Sequence, residues 1–223
     1  MPRGVLFSQM EPAPEWEEAF NAWYDEEHVP SRLALPGFVA AARYVAVRAT
    51  PKYAVTYLLD DLGTLATPAY RALQSDPAPR TAQMLAAVRG FTRYVGEEVA
   101  RLQQDPGADA DVLDRPYLYA VFFAVPEARE AEFGRWYDLE HGPLLLHHPA
   151  WRALRRYRLR EAAGGAWTHL ALHYLDDLAA LESPERAAAR ATPWRERLAA
   201  EPWFAPAYAV YARLPPRWGG GAR

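Results

Sequence analysis

The phrase Phe20-Asn21-Ala22-Trp23-Tyr24-Asp25-Glu26-Glu27-His28-Val29-Pro30 returns as Phe133-Gly134-Arg135-Trp136-Tyr137-Asp138-Leu139-Glu140-His141-Gly142-Pro143. Both copies keep Phe, Trp-Tyr-Asp, Glu-His and Pro at one offset, 133 − 20 = 113 and 141 − 28 = 113. Seven matches in eleven positions, mostly of rare residue types, make the chain a tandem repeat.

Working outward from the first copy, Val5 to Met10 reads as a strand. Pro12 and Pro14 mark entry to a helix, where proline is tolerated in the first turn. Trp16, Ala19, Phe20 and Trp23 recur at helical spacing and form one apolar face, and Pro30 is expected to end the helix. Pro36-Gly37 is a turn signal. Ala42 to Arg48 and Tyr53 to Leu59 read as a hairpin, and Asp60-Asp61 as a cap for a second helix. That helix is broken near Pro68, Pro77 and Pro79, and Phe91 to Val99 forms a last strand. The order is β-α-β-β-α-β, the ferredoxin-like arrangement.

The second copy follows suit. Trp151 answers Phe38 and Arg156-Tyr157 answers Arg43-Tyr44 at offset 113. After three extra residues near Gly164-Gly165, Asp176-Asp177-Leu178 answers Asp60-Asp61-Leu62 at offset 116. The expected division is a first unit over 1–102, a linker over 103–115, a second unit over 116–214 and a loose tail over 215–223. An antiparallel sheet with helices on one face leaves its other face bare. Two such sheets in one chain can cover each other, so the expected fold class is α+β: two ferredoxin-like units with facing sheets.

Composition narrows the function. The formal net charge of −3 argues against a nucleic-acid partner. There is no cysteine, so thiolate chemistry and disulfides are out of reach. No apolar run reaches the ~18 residues needed to span a membrane, and no signal-peptide pattern opens the chain. A cytoplasmic location is the expectation. No Gly-rich phosphate loop, nucleophile elbow or dinucleotide fingerprint occurs.

The phrase Trp-Tyr-Asp-x-Glu-His-x-Pro, followed by Pro36-Gly37-Phe38 and Arg43-Tyr44, resembles the EthD-like branch of the dimeric α/β-barrel superfamily. The resemblance covers roughly 4–99 and 116–214. It implies a barrel of two facing sheets, usually contributed by two chains and here by one, so either a monomer with a pseudo-dimeric barrel or a homodimer is expected. Members of that superfamily include cofactor-free monooxygenases, lactone isomerases, polyketide cyclases, aldoxime dehydratases and haem-dependent enzymes, so fold does not settle function. Its lactone isomerases imply a substrate-binding role for His28 with Tyr44, and for His141 with Tyr157.

The residues themselves add candidates. Histidine titrates near neutrality and suits proton transfer. His28 and His141 each follow a tyrosine, Tyr24 and Tyr137, by four residues, which makes them neighbours on a helix. A histidine ending a helix can equally serve the last carbonyls. On the third strand, alternation puts Trp167, His169 and His173 on one face, where the first copy has Tyr53 and Tyr57. That face is expected to look into the barrel, and the second unit, with His169 and His173, to be the active one. The opposing view is that these histidines are satisfied polar core residues. Metal ligation is not expected, because His169 and His173 stand about 13 Å apart along a strand. Arg43 and Arg156 should point away from their neighbouring tyrosines, and Asp25 and Asp138 should pair with arginine.

The resulting expectation is an enzyme without an organic cofactor that transfers a proton on a small hydrophobic or aromatic carbonyl compound, as an isomerase, cyclase or lyase. The alternatives are a cofactor-free monooxygenase, a non-catalytic small-molecule binding protein, and a haem-binding barrel, which needs one proximal histidine and an apolar pocket.

Overall fold

Eight antiparallel strands close into one barrel in a computed structural model that describes residues 3–104 and 109–218. The first half supplies β1 (Gly4–Glu11), β2 (Phe38–Arg48), β3 (Tyr53–Leu59) and β4 (Arg89–Gln103). The second supplies β5 (Tyr117–Phe123), β6 (Trp151–Ala163), β7 (His169–Leu175) and β8 (Ala207–Arg213). Around the barrel the order is β1-β3-β2-β8-β5-β7-β6-β4. Each half is therefore a four-stranded sheet, β4-β1-β3-β2 or β6-β7-β5-β8, and the edges of one pair with the edges of the other. Tyr44 pairs with Arg213 across β2 and β8, and Gly96 with Leu159 across β4 and β6. Closure leaves no free sheet edge. At the second seam a Cβ on Gly96 would meet the Tyr157 Cβ at 2.8 Å, so the approach of the two sheets there requires glycine.

Each half lays helices over the outer face of its sheet. In the first these are α1 (Glu17–Trp23), α2 (Val29–Leu33), α3 (Pro68–Ser75) and α4 (Pro79–Ala87). In the second they are α5 (Glu130–Trp136), α6 (Gly142–Leu145), α7 (Pro184–Ala189) and α8 (Pro193–Ala199). Three apolar cores result. One fills the barrel with residues of both sheets, including Phe7, Tyr44, Phe122, Tyr157, Tyr174 and Tyr211. The others lie between each sheet and its own helices, one around Phe20, Trp23 and Tyr57, one around Phe133, Trp136 and Trp151.

The repeated phrase forms a π-helical turn in both halves, Tyr24–His28 and Tyr137–His141. The Val29 and Gly142 N–H groups reach back five residues, to the Tyr24 and Tyr137 carbonyls. The expectation that Pro30 ends the helix is corrected here, since α2 runs on to Leu33. Proline lacks an N–H and crowds the carbonyl four residues back, and the wider turn relieves both faults.

Alternation along β2 and β6 sends Arg43 and Arg156 toward the helices and Tyr44 and Tyr157 into the barrel. Arg43 bonds Asp25 at 2.5 Å and the Asn21 side chain at 2.6 Å. Arg156 holds Asp138 with two bonds, at 2.7 and 2.6 Å. Each strut ties the edge strand of its half's sheet to the aspartate of its Trp-Tyr-Asp phrase, one residue past the tyrosine that begins the π turn.

Residues 105–108 of the expected linker and 219–223 of the expected tail lie outside the described residues. Val112 and Leu113 pack into the barrel core, and Leu214 and Trp218 against the first half's helix-side core. Among the described residues no helix is long and apolar enough to cross a membrane.

Candidate functional site

The face of β3 and β7 carrying Tyr53, Tyr57, His169 and His173 looks toward the helices, which reverses the sequence expectation. Tyr53 and Tyr57 belong to the first helix-side core, while His173 bonds residues of the second. The aliphatic face, Leu170 and Leu172 with Tyr174, lines the barrel instead. In this fold the helices bring Trp, Tyr and His of their own, which are matched by polar aromatic partners on the sheet.

The same reversal divides the proposed pairs. Tyr44 and Tyr157 stand in the barrel, across the sheet from His28 and His141. Trp167, just before β7, packs at the barrel side 6.0 Å from Phe122. Tyr53 donates to Glu17 at 2.7 Å and lines a separate open groove. His169 sits by Thr168 and Phe133, away from both helix-side pockets. What the fold does bring together is His28 with Tyr24 and Tyr57, and His141 with Tyr137 and His173.

In the first half these groups line a cavity of about 150 Å³. Leu6, Met10, Val55 and Leu73 provide apolar walls, with Tyr70 and Arg32 beside them. Phe91 and Leu85, both exposed, flank its opening. The His28 ring packs at a tilt against Trp23 and Tyr24, at centroid distances of 4.2 and 4.7 Å. The first of these contacts spans five residues, the reach that the π turn supplies. His28 Nδ1 is buried with no hydrogen-bond partner, and so is the Tyr57 hydroxyl. Burial pushes the His28 pKa well below the usual histidine value, and Arg32 and Arg43 add to the effect. The imidazole is therefore neutral at physiological pH. Burial also raises the Tyr57 phenol, against which Arg32 acts, and pushes Tyr24 up to about 12. Arg32 donates to the His28 carbonyl at 2.9 Å.

The second half spends the same groups on one another. Trp151 donates its indole N–H to His173 Nδ1 at 3.1 Å. Indole nitrogen only donates, so Nδ1 must accept and the His173 proton sits on Nε2. That proton is directed at the Tyr137 hydroxyl, 2.8 Å away. Protonating Nδ1 would set two donors against each other, and burial already holds His173 far below its usual pKa. His141 Nδ1 donates to the Ala189 carbonyl at 3.0 Å, because α7 packs on α6. Burial lowers His141 to about 4, although that bond partly opposes it. The pocket left over is about 30 Å³, the share of one water molecule.

Several lining residues escaped the sequence reading: Met10, Tyr70 and Arg32 in the first half, Trp151 in the second. Trp151 carried a signal, since it answers Phe38 at offset 113 and replaces a ring without a donor by one with a donor. Among the described residues no group of three or more His, Asp or Glu could hold a metal ion.

No protein-family model matches the sequence, and no curated protein is similar to it. Solved structures do resemble it. An anthrone oxidase-like protein superposes with a TM-score of 0.66 at 15% identity, covering 96% of this chain and 91% of that one. A proposed monooxygenase from Lactobacillus acidophilus gives 0.60 at 7% identity, covering 96% and 94%. A proposed chlorite dismutase gives 0.62 at 11% identity, covering 97% and 96%. The fold is the dimeric α/β barrel, completed here within one chain. At such identities the likeness speaks for the fold alone.

Proposed function

We propose that the first-half cavity is the active site of a small-molecule enzyme that moves a proton on an aromatic, enolisable carbonyl or phenolic compound. One observation carries this reading: a largely apolar cavity lined by His28 and Tyr57, two buried residues that each keep a polar atom, Nδ1 and the hydroxyl, with no protein partner. Buried polar atoms are rarely left unpaired, and a ligand that pairs both would remove the cost. An apolar cavity of ~150 Å³ takes a benzene-sized ring, so one ring enters and any remainder lies at the mouth between Phe91 and Leu85.

In this reading His28 takes the proton. Its neutral form is present throughout the physiological range, and an enolate forming beside it raises its proton affinity. Tyr57 donates to the substrate oxygen, and Arg32 supplies positive charge near the developing anion. Among the described residues no carboxylate lines the cavity to oppose that charge. Returning the proton to another carbon gives isomerisation; attack of the enolate carbon on a second carbonyl of the same molecule, with the proton passed to the resulting alkoxide, gives cyclisation.

A second reading shares the first step. The names of the structural neighbours, anthrone oxidase-like and monooxygenase, favour an oxygenation in which the carbanion reacts with O2. A methylene then becomes a carbonyl with one oxygen atom, and the other leaves as water. The repeated phrase supports placing the chain in the EthD-like branch as a tandem duplicate. A haem does not suit the residues present. Cavities of about 150 and 30 Å³ fall below the ~300 Å³ at which pockets begin to take drug-sized ligands. Among the described residues, neither of two larger open grooves, one beside α1 and one around Pro36-Gly37-Phe38, is lined by a histidine.

The test uses anthrone and 2-tetralone in D2O, with methylene exchange followed by NMR and O2 uptake by electrode. Wild-type exchange that is lost in His28→Ala supports the assignment, and accompanying O2 uptake selects the oxygenase reading. Binding with no exchange at all would favour a carrier, and exchange unchanged in His28→Ala would remove His28 as the base. A Soret band on haem titration would restore the haem reading.

A further inference from the structure

The second-half pocket is lined by three arginines, Arg186 from α7, Arg190 just past the end of α7 and Arg195 from α8, together with Tyr119 and Tyr208. No carboxylate lines that pocket, and none of the three arginines forms an ion pair among the described residues. Guanidinium groups stay charged at any physiological pH, so the cluster holds three like charges on a chain whose net charge is −3. The arrangement is braced. Arg186 donates to the Leu181 carbonyl at 2.6 Å and stands over the Tyr119 ring, 5.9 Å from its centroid. Arg195 donates to the Arg190 carbonyl at 3.3 Å and lies over the Phe204 ring at 5.6 Å.

The repeat shows that this charge is particular to one half. At offset 116, Arg186 answers Tyr70 (186 − 70 = 116) and Arg190 answers Gln74 (190 − 74 = 116). Both counterparts are uncharged and line the first cavity. The cluster's field reaches inward as well: all three arginines lower the pKa of His141, and Arg190 and Arg186 lower that of Arg195. Like charges held together on braced side chains cost stability until an anion joins them.

We infer that Arg186, Arg190 and Arg195, with Tyr119, form a binding site at the second-half mouth for the anionic group of a small molecule, a carboxylate or a phosphate. Guanidinium forks suit either group, since both accept paired hydrogen bonds. The pocket that these side chains line is open to only about 30 Å³. The anion is therefore bound at the rim, with the remainder of its molecule outward against Tyr208, which stacks on Tyr119 at 5.8 Å and is exposed. The site is separate from the first-half cavity and does not depend on its chemistry.

Isothermal titration of the full chain at low ionic strength tests this, with inorganic phosphate and benzoate as probes. The expected result is one saturable site per chain for at least one probe. Affinity should fall at least tenfold in Arg186→Gln, Arg190→Gln and Arg195→Gln, and stay unchanged in Arg71→Gln, an exposed arginine of α3, and in His28→Ala. Stronger phosphate binding identifies a phosphate-bearing ligand, and stronger benzoate binding an aromatic carboxylate. Thermal melts without anion add an independent sign: Arg190→Gln should raise Tm, and phosphate should raise Tm in the wild type only. No saturable binding of either probe, or equal loss in Arg71→Gln, overturns the site. So does a Tm that falls in Arg190→Gln without anion.

Discussion

The two halves start from one phrase and end in opposite states. In the first, His28 and Tyr57 keep unpaired polar atoms around a ring-sized cavity. In the second, Tyr137, His173 and Trp151 close a hydrogen-bond chain and the space shrinks to that of a water. The shared parts are the π turn, the Trp-Tyr-Asp helix and the Arg–Asp strut, which build the scaffold. Among the replacements that separate the halves are Phe38 by Trp151, Tyr57 by His173 and Met10 by Phe123. A donor on Trp151 and an acceptor on His173 satisfy each other, which leaves the second half stable and chemically idle at those atoms.

The largest effect expected from this contrast is on activity. His28→Ala should slow methylene exchange of a bound probe by about 100-fold or more, the usual contribution of a general base. His141→Ala and His173→Ala should leave it near the wild-type rate. Equal losses from both halves would break the comparison, because the closed half would then be working too.

Stability should show the reverse pattern. His173→Ala opens space in a packed core and strips partners from the Trp151 N–H and the Tyr137 hydroxyl. Urea unfolding should report a loss of about 2–4 kcal/mol. A loss below ~1 kcal/mol would mean that those bonds are replaced by water or are worth little.

How far the sequence could foretell this follows from the residues. The fold was legible because repetition at a fixed offset exposes the unit, and alternation with turn signals exposes its strands. The Arg43–Asp25 and Arg156–Asp138 pairs were legible for the same reason. The cavity was not. Alternation shows which residues share a face of β3 or β7, but not which face meets the helices, and that choice put Tyr53, Tyr57, His169 and His173 in the barrel, while the resemblance paired Tyr44 and Tyr157 with histidines that lie across the sheet. Nor does any local pattern show that α7 packs onto α6, bringing the Ala189 carbonyl to His141. That contact depends on packing between elements nearly fifty residues apart.

Acid sharpens the contrast further. A histidine whose folded pKa is depressed is protonated first in the unfolded chain, so its contribution is complete above the unfolded value of about 6.5 and is lost below it. His141 and His169 are held at about 4, which sets the window between about 4 and 6.5. Tm should fall on acidification through that window. His141→Gln should flatten the fall, since glutamine can still donate to the Ala189 carbonyl but binds no proton. An unchanged slope would show that His141 titrates normally.

The smallest effect is the most discriminating, because its sign carries the argument. Tyr57→Phe removes a buried hydroxyl that has no partner and leaves the ring that packs beside Phe38, 5.7 Å away. The folded protein loses an unpaid desolvation cost and no hydrogen bond, so urea unfolding should show no change or a gain of up to ~1 kcal/mol. A structural tyrosine would show a loss instead. The same variant should weaken a bound enolisable probe, since the substrate oxygen would lose its donor. Stability maintained while binding falls is what a residue kept for a ligand must show, and a loss of stability with binding intact would place Tyr57 with the scaffold.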